Sequence, residues 1–164
     1  VAEAATTWRL FINLHPEDLS DESLVDPGGA LVPLAKRIVL EITERASLDK
    51  VADVRGCVAA LREVGYQIAV DDLGAGYAGL SSFVQLQPDF VKLDMSLVRD
   101  VHRNPVKQKL VQSMTSLCRD IGLGVVAEGI ETPEERDQLV ELGCDYLQGY
   151  HFARPARPFV QPKW

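Results

Sequence analysis

Cysteine is scarce in this 164-residue chain: Cys57, Cys118 and Cys144 stand far apart. No Cys-x-x-Cys pair occurs, which argues against a zinc knuckle or a disulfide framework. A reducing, cytoplasmic setting fits. No apolar run approaches the roughly 20 residues that a membrane helix needs. No Gly-x-Gly-x-x-Gly or P-loop follows a strand-like segment, which weakens the case for a nucleotide-binding open sheet. The histidines, His15, His102 and His151, lack metal-ligand spacing such as His-Glu-x-x-His and read as surface residues. Basic residues are outnumbered, 17 against 24 acidic, for a formal charge of −7. A nucleic-acid polymer needs clustered Lys and Arg, so it is not the expected partner. An anionic substrate would need metal ions to offset the repulsion. Nothing at the start reads as a signal peptide, and Val1 in place of Met reads as a fragment of a longer chain.

The residues that are present alternate between two patterns. Short apolar runs predict strands at Arg9–Leu14, Arg37–Glu41, Tyr66–Asp71, Phe90–Leu93, Leu123–Glu128 and Tyr146–Tyr150. Helical spacing or helix signals predict helices over Pro16–Leu24, Ser47–Val64, Leu80–Leu86, Pro105–Ile121 and Pro133–Leu142. Ser47, Asn104 and Thr132 are the expected N-caps, and Gly65 and Gly122 the stops. Gly28, Gly29 and Pro33 mark a loop or a helix break. The segment Ala153–Trp164 reads as a tail. Strand and helix alternating about six times predicts an α/β fold with parallel strands and crossover helices. A doubly wound sheet and a βα barrel compete.

Polar residues decide between them. Asn13, Glu41, the pair Asp71-Asp72, Lys92 and Glu128 each fall at or near the C-terminal end of a predicted strand. Barrels gather catalytic groups from several strand ends at one rim, and a complete one has eight strands in about 250 residues. The chain therefore reads as an incomplete TIM-like βα barrel of about six strands. Taken singly, each residue has a plainer role. Asn13 can form a turn, Glu41 and Glu44 can be solvated or accept from the next helix's amides, Lys92 can pair with Asp94 or a neighbouring acid, Glu128 and Glu131 can cap a helix, and Gln148 can end a strand. Together these roles strain, because isolated charges at buried strand ends are costly unless paired or metal-bound. Asn, Glu and Asp oxygens suit Mg²⁺ or Mn²⁺ rather than zinc. A bridging carboxylate can hold two ions roughly 3.5–4 Å apart for in-line attack on phosphate. A second barrel chemistry, proton abstraction beside a carboxylate with Lys92 as base, leaves Asp71-Asp72 and Gln148-Gly149-Tyr150 without a role.

The ordered set Asn13-Leu14-His15-Pro16, Glu41-Ile42-Thr43-Glu44, Asp71-Asp72-Leu73-Gly74-Ala75-Gly76-Tyr77, Lys92-Leu93-Asp94, Ala127-Glu128-Gly129-Ile130-Glu131-Thr132 and Gln148-Gly149-Tyr150 through Pro155 resembles the C-terminal two-thirds of an EAL domain. That family consists of cyclic-di-GMP phosphodiesterases. The resemblance implies a partial domain over residues 1–164, with 1–8 left from a preceding helix or linker and 156–164 as a tail. It implies a TIM-like barrel with one antiparallel strand, and hydrolysis of cyclic di-GMP to linear pGpG with two Mg²⁺ or Mn²⁺ ions. Asn13, Glu41, Asp71, Asp72 and Glu128 are the implied metal ligands, with Asp71 bridging. Lys92, Glu128 and Gln148 are the implied catalytic groups, Lys92 orienting the attacking water. Asp72 and Gln148 would also meet substrate. Glu44 would anchor the loop after Asp72, and Glu131 would stabilise the rim. A homodimer contact is implied through Leu73–Leu86, and an upstream sensor or GGDEF domain as a neighbour. The sequence departs from the family pattern at Leu73 and Ala75, where Phe and Thr are common, and it lacks the Glu-Ala-Leu segment, whose Glu is a first-metal ligand. A non-catalytic cyclic-di-GMP sensor or dimerisation module is the alternative that this absence raises.

Overall fold

The computed structural model describes residues 8–43, 48, 50–74 and 79–156. Its strands are β1 (Leu10–Asn13), β2 (Ile38–Thr43), β3 (Gln67–Leu73), β4 (Phe90–Leu93), β5 (Gly124–Ala127) and β6 (Tyr146–Leu147). Its α-helices are α1 (Val54–Val64), α2 (Gly79–Leu86), α3 (Met95–Val98), α4 (Pro105–Asp120) and α5 (Pro133–Glu141). The strands lie in one sheet in sequence order, β1-β2-β3-β4-β5-β6. The pairs β1–β2, β2–β3, β4–β5 and β5–β6 are parallel. Parallel neighbours need a crossover, and helices or helical turns supply it. The expected class, an incomplete TIM-like βα barrel, is the class observed. The implied antiparallel strand is not among these four pairs.

The chain forms two compact units. The first holds the described residues through Asp71 together with 79–89. Every residue of β2 from Ile38 to Ile42 is buried, as both-face burial in a parallel sheet predicts. Against it α1 buries Val54, Val58 and Leu61, spaced on one helical face. Asp53 caps α1 by accepting from the Gly56 amide, and Gly65 closes it at φ 116°, a left-handed turn that glycine makes without strain. The helix starts at Val54, well after the expected Ser47, which lies outside the described residues. Leu48 and Val51 mimic helical spacing, yet they belong to a turn in which Val51 N donates to Leu48 O at 3.0 Å. Pro16–Leu24 is likewise two 3₁₀ segments, Pro16–Ser20 and Glu22–Leu24, and not one helix. Asp21 separates them, its carboxylate taking the Ser23 amide at 2.9 Å. At Pro33, expected to mark a loop or a helix break, a 3₁₀ helix begins, Val32–Arg37, with that proline second in it. Asp89 ties the entry to β4 back to β3, its amide and carboxylate bonding Ile68 O and N, both at 2.8 Å.

The second unit holds residues 72–74 and 90–156. Asn104 caps α4 through the Val106 and Lys107 amides, with Pro105 first in the helix, as expected. Val111, Thr115 and Cys118 form its buried face. Asp145 repeats the device of Asp89, with its amide on Val125 O and its carboxylate on Val125 N. Two elements were not anticipated: α3, capped by Asp94, and the 3₁₀ turn Val101–Arg103. The last two strands are shorter than expected. Beyond Ala127 and Leu147 the chain leaves the ladder, and Ile130 takes over as backbone partner of Gln148 and His151. The cysteines are free. Burial and the Asp145 charge push up the Cys118 thiol, and push the Cys144 thiol up to about 12, so both stay as packing thiols near neutral pH.

Candidate active site

In the first unit, parallel register sets Asn13 beside Glu41, Glu41 beside Ala69, and Thr43 beside Asp71. Side chains alternate along a strand, so Asp71 shares the face of Ala69 two residues before it. Asn13, Glu41 and Asp71 therefore stand on one face of three neighbouring strands, toward their C-terminal ends. Asn13 is exposed, while Glu41 and Asp71 are 6% and 9% exposed.

In the second unit the same reasoning joins Lys92, Glu128 and Gln148. Lys92 and Tyr146 both register with Val126, and Glu128 and Gln148 each lie two residues further on that face. Lys92 Nζ lies 2.7 Å from Glu128 Oε1, with side chains 5% and 17% exposed. Of the two plainer partners considered for Lys92, a neighbouring acid is the one found, and Asp94 caps α3 through the Ser96 amide at 2.9 Å. Gln148, itself exposed, is held by backbone: its amide donates to Ala127 O at 2.8 Å and its carbonyl accepts from Ile130 N at 3.1 Å. Gly149 lies so close to Ile130 that a β-carbon would collide with the Ile130 backbone.

The end of β3 resolves the problem of two adjacent acids. In a regular strand Asp71 and Asp72 would point to opposite faces. Asp72 instead has φ 59°, a left-handed conformation that aspartate tolerates better than most residues. That turn breaks the alternation. Within the second unit one carboxylate oxygen each from Asp72 and Glu128 lie within 4.8 Å of each other. Like charges so close repel each other, and a bound cation would offset that repulsion. Carboxylate oxygens in such a group suit a hard divalent cation, and the residues present fit one.

The segment after β5 is braced from both sides. Glu131, exposed at the rim, pairs with Arg99 Nη2 at 2.8 Å, and that nitrogen also lies 3.4 Å from Gly129 O. Glu135 is 1% exposed and fully engaged. Its Oε1 accepts from Asp100 N at 2.9 Å, and its Oε2 from Glu131 N at 2.9 Å and Thr132 N at 3.3 Å. Burial is the largest influence on its carboxyl and pushes it up. The amides of Glu131, Asp100 and Thr132 and the Arg99 charge together outweigh that, and the carboxyl sits below its ordinary value. The hydrogen bond to Glu131 raises the Arg99 guanidinium, against a smaller effect of burial. Sequence reasoning missed Arg99 and treated Glu135 only as a favourable helix-end charge. The Thr132-x-x-Glu135 spacing, a capping box, was the available signal.

Glu44 lies outside the described residues, as do 75–78 of the loop it was expected to anchor. Among the histidines His15 is exposed and caps the turn at Pro16 by accepting from Glu17 N at 3.3 Å. His102 and His151 are half-buried rather than on the surface. His151 Nε2 stands 3.4 Å from Arg136 Nη1, with the ring edge-on to Phe152.

A parallel βα sheet with acids, a lysine and a glutamine at its strand ends defines a class, the metal-assisted βα barrels. Within that class the EAL domain model matches residues 2–155, and the chain belongs to the EAL domain family. It is 32% identical over 159 residues to the cyclic di-GMP phosphodiesterase RocR of Pseudomonas aeruginosa, covering 94% of this chain and 41% of that protein. It resembles the manganese/cyclic-di-GMP complex of BlrP1 from Klebsiella pneumoniae at a TM-score of 0.81 and 37% identity, over 94% of this chain and 41% of that one. A standalone EAL protein from Vibrio cholerae in its c-di-GMP-bound form matches at a TM-score of 0.75 and 31% identity, over 94% of this chain and 68% of that one. The chain spans less than half the length of the curated relatives compared. Among the described residues no helix is long and apolar enough to cross a membrane.

Proposed function

We propose that this chain supplies the site of a divalent-metal phosphodiesterase that opens one phosphodiester of cyclic di-GMP to give linear pGpG. The observation that carries the reading is the group in the second unit, the carboxylates of Asp72 and Glu128 within 4.8 Å of each other and Lys92 paired to Glu128 at 2.7 Å. Asn13, Glu41 and Asp71 would hold one ion, and Asp71, Asp72 and Glu128 a second, with Mg²⁺ or Mn²⁺ as the working metal. Such ions lower the pKa of water and offset the charge that develops on phosphate. Lys92 would hold the attacking water at its ammonium and take part in its deprotonation. Gln148 and Asp72 would orient the substrate, and Glu44 and Glu131 would steady the surrounding loops. The relatives named as cyclic di-GMP phosphodiesterases support the choice of substrate. With free thiols throughout, we place the site in the cytoplasm. The Leu73–Leu86 segment is our candidate homodimer contact. Val84 on α2, 63% exposed, is the residue to change, and sedimentation of Val84→Glu reads the result.

The test is conversion of cyclic di-GMP by the full-length protein that carries this chain. With Mg²⁺ or Mn²⁺ we expect pGpG, and we expect loss of at least about 100-fold in rate for Asp71→Asn or Lys92→Met. Absence of linear product from the wild type with either metal overturns the proposal.

A further inference from the structure

Two ion pairs tie the β4 side of the second unit to the segment that follows β5. Lys92, in β4, pairs with Glu128. Arg99, just after α3, pairs with Glu131. Glu128 and Glu131 are three residues apart, and Lys92 and Arg99 seven. The first pair lies in the candidate active site, and the second braces its support. Arg99 also reaches the Gly129 carbonyl at 3.4 Å and the Glu135 carboxylate at 3.6 Å. Glu135, from inside α5, accepts amides from both sides: Asp100 beside Arg99, and Glu131 and Thr132 beside Glu128. Arg99 and Glu135 thus grip Gly129–Thr132 from α3 and from α5. Exposure of the Arg99–Glu131 pair, at 32% and 49%, makes its share of stability small. What such a fork supplies is direction, because a planar guanidinium meets several acceptors in one fixed geometry.

We infer that Arg99 and Glu135 are positioning residues for metal binding: together they fix the Glu128–Glu131 segment so that the Glu128 carboxylate stays directed at the cation. The inference rests on the metal site proposed above. Neither residue is a ligand, and both act through Glu128. Groups that orient a metal ligand typically change affinity by 10–100-fold when removed.

The test is Mn²⁺ titration of the protein by calorimetry, run beside thermal melts. Arg99→Ala is expected to weaken Mn²⁺ binding about 10-fold. Arg99→Lys is expected to restore only part, since an ammonium cannot meet Gly129, Glu131 and Glu135 at once. Glu135→Gln is expected to weaken binding in the same direction, because an amide nitrogen cannot accept the backbone bonds. Asp53→Ala is the control: it removes the cap of α1 and lowers the melting temperature without touching Arg99, Glu135 or the Glu128–Glu131 segment, and its Mn²⁺ affinity should hold. If Arg99→Ala does not fold, Arg99→Lys and Glu135→Gln carry the test. Unchanged affinity in the folded variants overturns the inference. So does a fall in affinity for Asp53→Ala that matches theirs at an equal loss of stability. Wild-type protein that takes up no Mn²⁺ overturns the metal site itself, an outcome distinct from either of these.

Discussion

Asp72 holds a left-handed backbone at φ 59° while its carboxylate lies within 4.8 Å of that of Glu128. Strain of that kind is kept where the local structure needs it. Glycine adopts the conformation freely, whereas alanine has no polar group to offset it. Asp72→Gly should therefore keep wild-type stability or exceed it, and Asp72→Ala should fall about 1 kcal/mol below the glycine variant in denaturant melts. Both should lose Mn²⁺ affinity to a similar extent in titration. Equal stability for the two variants would mean that the backbone relaxes when the carboxylate is gone. The identity of Asp71 and Asp72 as a linked pair was legible in the sequence, because two acids closing an apolar run are costly there. Their arrangement was not, because a regular strand would have split them between faces.

Elements carry the site by short, specific contacts at their ends. Gly149 packs on the Ile130 backbone, so Gly149→Ala must push the Gln148 segment away from the Glu128 segment. We expect a loss of about 1–3 kcal/mol, read as a lower melting temperature. The Glu135 bond set between α5 and the segments before it predicts a pH dependence. Its carboxyl lies below the ordinary glutamate value of 4.5, so the folded state favours the charged form. The resulting stability is present in full above 4.5, and it drains away as pH falls through the lower folded-state value. Melting temperatures of wild type and Glu135→Gln should therefore converge as pH drops from 5 toward 3. A gap that stays constant would show that charge plays no part. Helices with apolar faces and proper caps, such as α4, were readable from local sequence. Leu48 and Val51 were misread because a turn with i→i+3 bonding repeats the spacing of a helix. The capping and bracing by Glu135 depend on Arg99 and Asp100, more than 30 residues earlier, and no local pattern links such positions.

At the scale of the molecule, the net charge of −7 and the paired carboxylates of Asp72 and Glu128 predict that a cation stabilises the fold. Anything that binds only the folded state stabilises it by mass action. Mn²⁺ at 100 times its dissociation constant should add about 2.7 kcal/mol, or about 5–10 °C in melting temperature for a chain of this size, and a chelator should abolish the gain. A melting temperature indifferent to Mn²⁺ would count against the site. By itself the amino-acid sequence determined the alternation of strands and helices, the parallel class, and the placing of polar groups at strand ends. These follow from apolar runs, caps and the cost of burying charge, all of which act over a few residues. Only the tertiary structure decided which groups meet. Register aligned Asn13 with Glu41 and Lys92 with Val126, which put Glu128 on the lysine's face. A left-handed turn at Asp72 broke the strand's alternation. The bracing of Glu128's segment by Arg99 and Glu135 came from elements distant in sequence. Contacts of that kind depend on how strands pair and how loops leave them, and that is settled by packing across the sheet rather than by neighbours along the chain.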